Sequence, residues 1–434
     1  MRSSRSSEEA TSKEKLRLSI EKLVYGGYGI SRLSGKVAFV RYAAPKELVD
    51  VQVIEEKKDY LQALVKDVVI PSRVRRDPLC PYYGTCGGCQ LQHIDYNAQV
   101  ESKESILRET LRRVARVEDP PLLGSVPSRQ ELFYRVRVQF KVKGGKLGFF
   151  RWNAREVVDI KECPVAHPRI NELLPALKEC AAHIRELQEI QVTYSPLEDS
   201  FLVKFITPTE IDKDLLNNLK EDCLPKDVVG VGDYSRLRTL TNRRYWIGKE
   251  YLFMKAGRWT YRVSADSFFQ VNHTLWEDFI GSVMDGAAYR KAVELHCGVG
   301  FFTLPLSERG NFIEGSDMSP SAIDDAIYNA KLNGRENVVF VKSDSRRHLK
   351  NRGGEVIDLL LLDPPRGGLQ REELELIVKN RPERVIYISC NPTTLARDLR
   401  VLLKGGYTLE GTKLLDMFPQ TYHVESINFL RLQE

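Results

Sequence analysis

The stretch "RVIYISCNPTTLARD", Arg384 to Asp398, begins as a short, nearly continuous apolar run and continues past Asn391 and Pro392 as a helix. A run of that length with no polar alternation is what a strand buried on both faces requires, and Asn followed by Pro is a helix-start signal. Cys390 stands at the junction. Working outward, "AVELHC", "NFIEGSD", "NVVFVKSD" and "IDLLLLDPP" repeat the pattern, and "SPSAIDDAIYNAKLNG" opens on serine caps and stops at Gly334. Strands that alternate with helices predict an α/β, Rossmann-like domain with a doubly wound, mostly parallel sheet over residues 263–434. Ligands of such sheets bind beyond the carboxyl ends of the strands, where Asp317, Asp344, Asp363 and Cys390 fall.

The chain of 434 residues is too long for one core, and its 42% hydrophobic content supports several globular domains. "MRSSRSSEEATSK" lacks large apolar residues after its first methionine and is expected to be disordered. The longest apolar run, "VIDLLLL", is too short to span a bilayer, so a cytoplasmic protein without membrane association is expected. A net charge of +6 says little by itself, and eight unevenly spaced cysteines do not form a secreted disulfide framework.

Residues 15–71 read as about five short strands punctuated by Gly26, Gly27, Gly29 and Gly35, either a generic β-module or an oligonucleotide-binding barrel. A central α+β domain, 72–262, follows. Its helix at Tyr96 to Val117 sets Ile106, Leu107, Leu111 and Val114 against Arg108, Arg112, Arg113 and Arg116. In "FYRVRVQFKVKGGKLGFFRW", Arg135, Arg137, Lys141 and Lys143 share one strand face, with Phe149, Phe150 and Trp152 after the turn. That pattern reads either as a half-buried hairpin with a solvated face or as a cationic ribbon whose rings stack on RNA bases.

Gly298 and Gly300 in "ELHCGVGFF" follow the first strand of the α/β domain and let the backbone approach a cofactor, while Asp317 offers hydrogen-bond acceptors to a ribose diol. Nicotinamide cofactors and S-adenosylmethionine both suit that arrangement. A cysteine, an aspartate fixed by two prolines and an arginine at the rim suit addition chemistry better than hydride transfer. A pyrimidine C5 takes a methyl cation only after a thiolate has added at C6, and a base must then remove the C5 proton. Glu425 in "FPQTYHVES" is the candidate base. Read more plainly, Glu425 is a strand glutamate and Cys390 a small packing residue.

"DPPRGG", "SCNPTTLARD" and "FPQTYHVES", with "SFFQVN" and "ELHCGVG" upstream, together resemble the RNA uracil-5-methyltransferase family, which uses S-adenosylmethionine. The resemblance covers nearly the whole chain. It implies Cys390 as nucleophile, Glu425 as base, Gln270 near cofactor and uracil, and Asp363 at the uracil edge and cofactor. His296, Gly298, Gly300, Phe301, Asp317 and Asp344 would hold the cofactor. The family commonly has Tyr at position 296, a polar residue at 301 and Glu at 317. The N-terminal module resembles a TRAM domain.

Cys80, Cys86 and Cys89 are spaced C-x5-C-x2-C, unlike the C-x3-C-x2-C of radical S-adenosylmethionine enzymes, and Cys163 follows in "ECPV". Four thiolates suit zinc or a [4Fe-4S] cluster on ligand chemistry alone. The resemblance to the ribosomal-RNA branch implies iron-sulfur. Cys180, Cys223 and Cys297 read as packing residues. The expected function is C5 methylation of a uridine in RNA, 23S ribosomal RNA foremost, by a monomer. Transfer-RNA uridine, RNA cytidine and a non-catalytic RNA chaperone are the alternatives. An amino-group methylase is disfavoured because it typically carries N-P-P-[YF] and needs no thiol.

Overall fold

The computed structural model describes residues 16–433 apart from 238–239, 286–287 and 353–354, so the N-terminal segment expected to be disordered lies outside the described residues. The N-terminal unit comprises residues up to 77 together with 93–95. It contains strands β1 (Leu16–Ser19), β2 (Lys22–Val24), β3 (Tyr28–Leu33), β4 (Lys36–Arg41), β5 (Leu48–Glu56) and β6 (Tyr60–Ile70) in one sheet of order β1-β5-β6-β4-β3-β2. There are six strands where about five were expected. Leu18, Ile20, Val40, Val49 and Leu61 fill its own small core. Three register shifts along β5 and β6 bend the pair, as bulges do. At Gly29 a Cβ would stand 2.8 Å from Ile20, so only glycine lets the strand approach that closely.

The second unit, residues 78–92 and 96 onward, holds two large sheets. Its first elements are helix α1 (Tyr96–Thr110), a π-helical turn Leu111–Ala115, and β7 (Leu122–Val126). A mixed sheet follows, built from β8 (Arg137–Lys143), β9 (Lys146–Phe150), β10 (Val157–Asp159), β11 (Glu189–Ser195), β12 (Ser200–Ile206), β13 (Val228–Leu237) and β14 (Leu240–Gly248) in the order β10-β9-β8-β11-β12-β13-β14. Helix α2 (Pro168–His183) packs on β11. Helix α3 (Lys213–Asn218) runs into a second π-helical turn, Leu219–Cys223.

A hairpin of β15 (Tyr251–Ala256) and β16 (Trp259–Ser264) leads into the α/β part. There α4 (Trp276–Met284), β17 (Tyr289–Leu295), α5 (Thr303–Leu306), β18 (Gly310–Asp317), α6 (Pro320–Leu332), β19 (Val338–Lys342), α7 (Ser345–Lys350), β20 (Leu359–Leu362), α8 (Arg371–Asn380), β21 (Arg384–Ser389), α9 (Pro392–Lys404), β22 (Tyr407–Leu415) and β23 (Glu425–Leu432) follow in turn. The sheet order is β19-β18-β17-β20-β21-β23-β22-β7. The first five are parallel, and β23 is antiparallel to both neighbours. All four leucines of β20 are buried, as a central strand covered on both faces requires.

Two features cross the boundary expected at 262/263. β7 pairs in parallel with β22 at the sheet edge, and α1 packs on α9, so residues 96–126 belong structurally to the α/β part. The hairpin β15–β16 is also bound to α6. Asp325, fully buried, accepts hydrogen bonds from Arg262 Nε at 2.6 Å and Ser264 N at 2.7 Å, and Asn329 Oδ1 accepts from Arg262 N at 2.6 Å. Val114, expected on the apolar face of α1's continuation, is exposed instead, because the π-turn rotates it away from the helical phase. Among the described residues no helix is long and apolar enough to cross a membrane.

Lys103 on α1 and Asp416, just after β22, form an ion pair with side chains 1% and 0% exposed, and Lys103 also donates to the Phe418 carbonyl at 3.0 Å. Removing one partner strands the other charge in a low-dielectric interior. Lys103→Met should therefore lower stability by about 3–5 kcal/mol. The measurement is chemical denaturation beside the parent protein, and a loss under about 1 kcal/mol would mean that Asp416 is hydrated.

Candidate active site

The thiol that ends β21 sits on a braced platform. The Asn391 side chain caps α9 by accepting from Thr393 N at 3.0 Å, and its Nδ2 donates to the Arg366 carbonyl at 3.3 Å. Thr394 Oγ1 donates to the same carbonyl, at 3.2 Å. Arg397 reaches the carbonyls of Gly367 and Leu369. Asp398, fully buried, accepts from Leu369 N at 2.8 Å and Tyr387 OH at 2.7 Å. "DPPRGG" and "SCNPTTLARD" are thus one hydrogen-bonded structure, and the polar residues of "TTLARD" hold the loop that carries Asp363 and Arg366.

Glu425 arrives from the other direction. The β21–β23 register ends with Ser389 opposite Ser426, so Cys390 and Glu425 occupy the next rung. The loop before Glu425 is anchored along its length. Asn272 donates to the Met417 carbonyl, Tyr134 OH to the Pro419 carbonyl, and Gln99 exchanges two hydrogen bonds of 3.0 Å with Gln420. The backbone N–H groups of Gln90 and Leu91 donate to the Gln420 carbonyl, which ties the cysteine-bearing segment to this loop. Gln420 adopts φ 68°, a left-handed conformation that these bonds hold in place.

Electrostatically the rim has one cation among several acids. Burial, with Glu425 adding to it and Arg366 opposing, pushes the Cys390 thiol up to about 12. Burial also pushes Asp363 up to about 7, although part of its surface faces the rim, and Gln270 Nε2 donates to it at 3.4 Å. Glu425 is raised well above the usual carboxylate range by burial and by Asp363, against Arg366. Arg366 Nη2 lies 3.1 Å from His423 Nε2, and burial and this cation drive His423 down to about 3. Arg366 stands out in the sequence only as an arginine after two prolines, and His423 not at all, because what distinguishes them is the company they keep across the rim.

The turn after β17 has three left-handed residues, His296 (φ 62°), Gly298 (φ 54°) and Gly300 (φ 83°). Gly298 N donates to Asp317 Oδ2 at 3.0 Å and Ser319 N to Oδ1 at 2.8 Å, leaving lone pairs of that carboxylate for a ribose diol. Ser345 Oγ and His296 Nε2 are 3.0 Å apart. Asp344 caps α7 by accepting from Arg347 N. Phe301 is 6% exposed and packs against Tyr261, Phe269, Phe279 and Phe302, so its ring supports the turn from the core.

The cationic ribbon is different from its expected form. β8 lies between β9 and β11 inside the seven-stranded sheet, so its polar face is used internally. Lys141 is paired with buried Glu189, Arg137 donates to the Ser267 carbonyl at 2.9 Å, and the buried Nε of Arg135 has no hydrogen-bond partner. Only Lys143 of the four keeps an exposed side chain. Cys80, Cys86, Cys89 and Cys163 line one cavity together with Arg135 and Thr421. Gly88 N donates to Cys86 Sγ at 3.4 Å, and backbone N–H groups also face the sulfurs of Cys80 and Cys163. An unpartnered guanidinium nitrogen and inward N–H groups fit an anionic thiolate-bound group.

The profile of the family described as tRNA (uracil-5-)-methyltransferase matches residues 95–433, and that of the TRAM domain matches residues 10–66. An RNA methyltransferase of Aquifex aeolicus is 56% identical over 96% of this chain and 99% of its own length. One of Thermotoga maritima is 32% identical over 94% of this chain and 97% of its own. The crystal structure of the Pyrococcus abyssi tRNA (uracil-54, C5)-methyltransferase with S-adenosyl-L-homocysteine superposes with a TM-score of 0.73 at 25% identity, covering 96% of this chain and all of that one.

The charge arrangement makes a signed prediction for Cys390. Alkylation by iodoacetamide, followed at this residue by peptide mass spectrometry, should be slow at pH 7 and rise steadily up to pH 10 as thiolate forms. Arg366→Leu removes a stabilising cation and should slow it, whereas Glu425→Gln removes a group that repels the thiolate once ionised and should speed it at alkaline pH. A profile already saturated at pH 7 would contradict the raised thiol.

Proposed function

We propose that this chain, which belongs to the tRNA (uracil-5-)-methyltransferase family, methylates C5 of a uridine in structured RNA through a covalent bond between Cys390 and C6. The observation that carries this reading is the adjacent placement of thiol and carboxyl on β21 and β23, with Arg366 acting on both. S-adenosylmethionine supplies the electrophilic methyl group and would be held by the turn at Gly298 and Gly300 and by Asp317, Asp344 and Gln270. Cys390, as thiolate, adds to C6 and the C5–C6 π electrons move onto O4. Asp363, near neutrality, can donate a proton toward that oxygen. C5, now nucleophilic, would take the methyl group as its bond to the cofactor's sulfonium sulfur breaks and the neutral thioether leaves with the electron pair. Glu425, as carboxylate, then takes the C5 proton, the C5–C6 double bond re-forms and the C6–S bond breaks.

Exposed aromatic and basic side chains support an RNA surface. Phe268 is 58% exposed two residues from Gln270, and Phe150 and Lys143 lie open on the hairpin β8–β9. Such rings can stack on unpaired bases. We take 23S ribosomal RNA as the target because the cysteine quartet resembles that of the ribosomal-RNA branch, and the segment just after Cys89 is hydrogen-bonded to the loop before Glu425 through Gln90 and Leu91. Transfer RNA is the second reading, favoured by the likeness to the Pyrococcus enzyme. Mapping 5-methyluridine in cells lacking the gene decides between them. Loss from 23S RNA is the expected result, and loss from transfer RNA alone would move the target.

The quartet is read as a [4Fe-4S] site. The four sulfurs line one cavity with the unpartnered Nε of Arg135, and backbone N–H groups face them, a setting that suits the larger, anionic cluster. Protein purified without oxygen should be brown with about four irons per chain, and Cys86→Ser should bleach it. Stoichiometric zinc in a colourless protein would refute the assignment.

The covalent step has its own test. RNA carrying 5-fluorouridine has no C5 proton to lose, so the adduct should persist through denaturing electrophoresis and vanish with Cys390→Ala. Glu425→Gln should trap even unmodified RNA, with turnover reduced about 10²–10⁴-fold. Full methylation by Cys390→Ala would eliminate the nucleophile, and undiminished turnover by Glu425→Gln would assign the proton to another group.

A further inference from the structure

Helix α2 ends with Glu179 and His183, four residues apart and therefore on one face. Cys223, the last residue of the π-turn after α3, meets that face. The glutamate oxygen, histidine nitrogen and cysteine sulfur all lie within 4.8 Å of one another. The π-turn packs directly against α2, so the three donors come from two elements in contact. No hydrogen bond or ion pair engages the Glu179 or His183 side chain among the described residues.

Three further features suit a cation there. The last turn of α2 exposes carbonyl oxygens and carries the negative end of the helix dipole. The thiol of buried Cys180 is in hydrogen-bond contact with the Cys223 sulfur, a position from which it can donate to a thiolate ligand. Sulfur and imidazole donors select against magnesium and calcium, which take oxygen ligands. Tetrahedral zinc with bonds of about 2.0–2.3 Å needs donors about 3.3–3.8 Å apart, a closure of roughly 1 Å that side-chain rotation can supply.

We propose that Glu179, His183 and Cys223 form a zinc site, with a fourth position open to water, that clips the end of α2 to the π-turn. It is separate from the cysteine quartet. Cys163 is tied by both its N–H and its carbonyl to Asn171 in the first turn of α2, and eight residues of helix, about 12 Å, separate Asn171 from Glu179. The sequence reading assigned Cys180 and Cys223 to packing. Cys180 is buried, whereas Cys223 is partly exposed at the surface where Glu179 and His183 stand.

The test uses the full chain, stripped with a chelator under reducing conditions and titrated with Zn²⁺ against a chromophoric competitor. The parent should bind one equivalent more than His183→Gln or Cys223→Ser. Cys86→Ser, which damages the quartet, should retain that equivalent. With Co²⁺ in place of zinc, Cys223→Ser should lose the corresponding share of the sulfur-to-metal absorption, and zinc should raise the melting temperature of the parent but not of His183→Gln. Should Cys223→Ser fail to fold, the exposed His183→Gln decides alone. Equal zinc stoichiometry in parent and His183→Gln would overturn the proposal. So would a Cys180–Cys223 disulfide forming in the presence of equimolar zinc.

Discussion

The buried side chain of Asp398 is the point on which the rim hangs. It holds Leu369 N and Tyr387 OH, while its neighbour Arg397 binds the carbonyls of Gly367 and Leu369. A loop of two prolines and two glycines would otherwise have many conformations to lose. Fixed this way, Asp363 and Arg366 take defined positions beside Cys390. Hydrogen bonds that converge on a fully buried group are not exchanged for water, so this brace restrains the loop.

The same burial that makes the brace stiff raises the thiol and both carboxyls of the rim toward their neutral forms. One guanidinium is not enough to offset three acids in a poorly solvated recess. Burial thus favours the protonated forms of Cys390 and Glu425, which the proposed chemistry needs without their protons, and of Asp363, which it needs with one. Such a site is reactive only as negative charge can move onto a substrate oxygen, which favours reaction on a bound base over attack on stray electrophiles.

Much of this was legible in the sequence. Continuous apolar runs marked the parallel strands because β17, β20 and β21 are covered on both faces, and strand ends then located Asp317, Asp363 and Cys390. The ribbon misled because period-two alternation reports which side chains share a face, not whether that face meets water. The charges of β8 turn out to meet Glu189 and the Ser267 carbonyl. The position of Phe301 beside a glycine turn is visible in the sequence, whereas its packing against four other aromatic rings is not. The links that join Gln99 to Gln420, 321 residues apart, and β7 to β22 leave no local trace at all.

Strand β23 runs against its neighbours. Cys390 and Glu425 therefore reach the rim from opposite chain directions, and their spacing is measured by rungs of a backbone ladder rather than by any connecting loop. Of the 34 positions between Cys390 and Glu425, those from Asn391 to Asp398 and from Met417 to Gln420 brace the rim, and the ladder alone sets the distance between the two ends. A slip of one residue would turn Glu425 to the opposite face of the sheet. The final strand can therefore shift only by whole pleats.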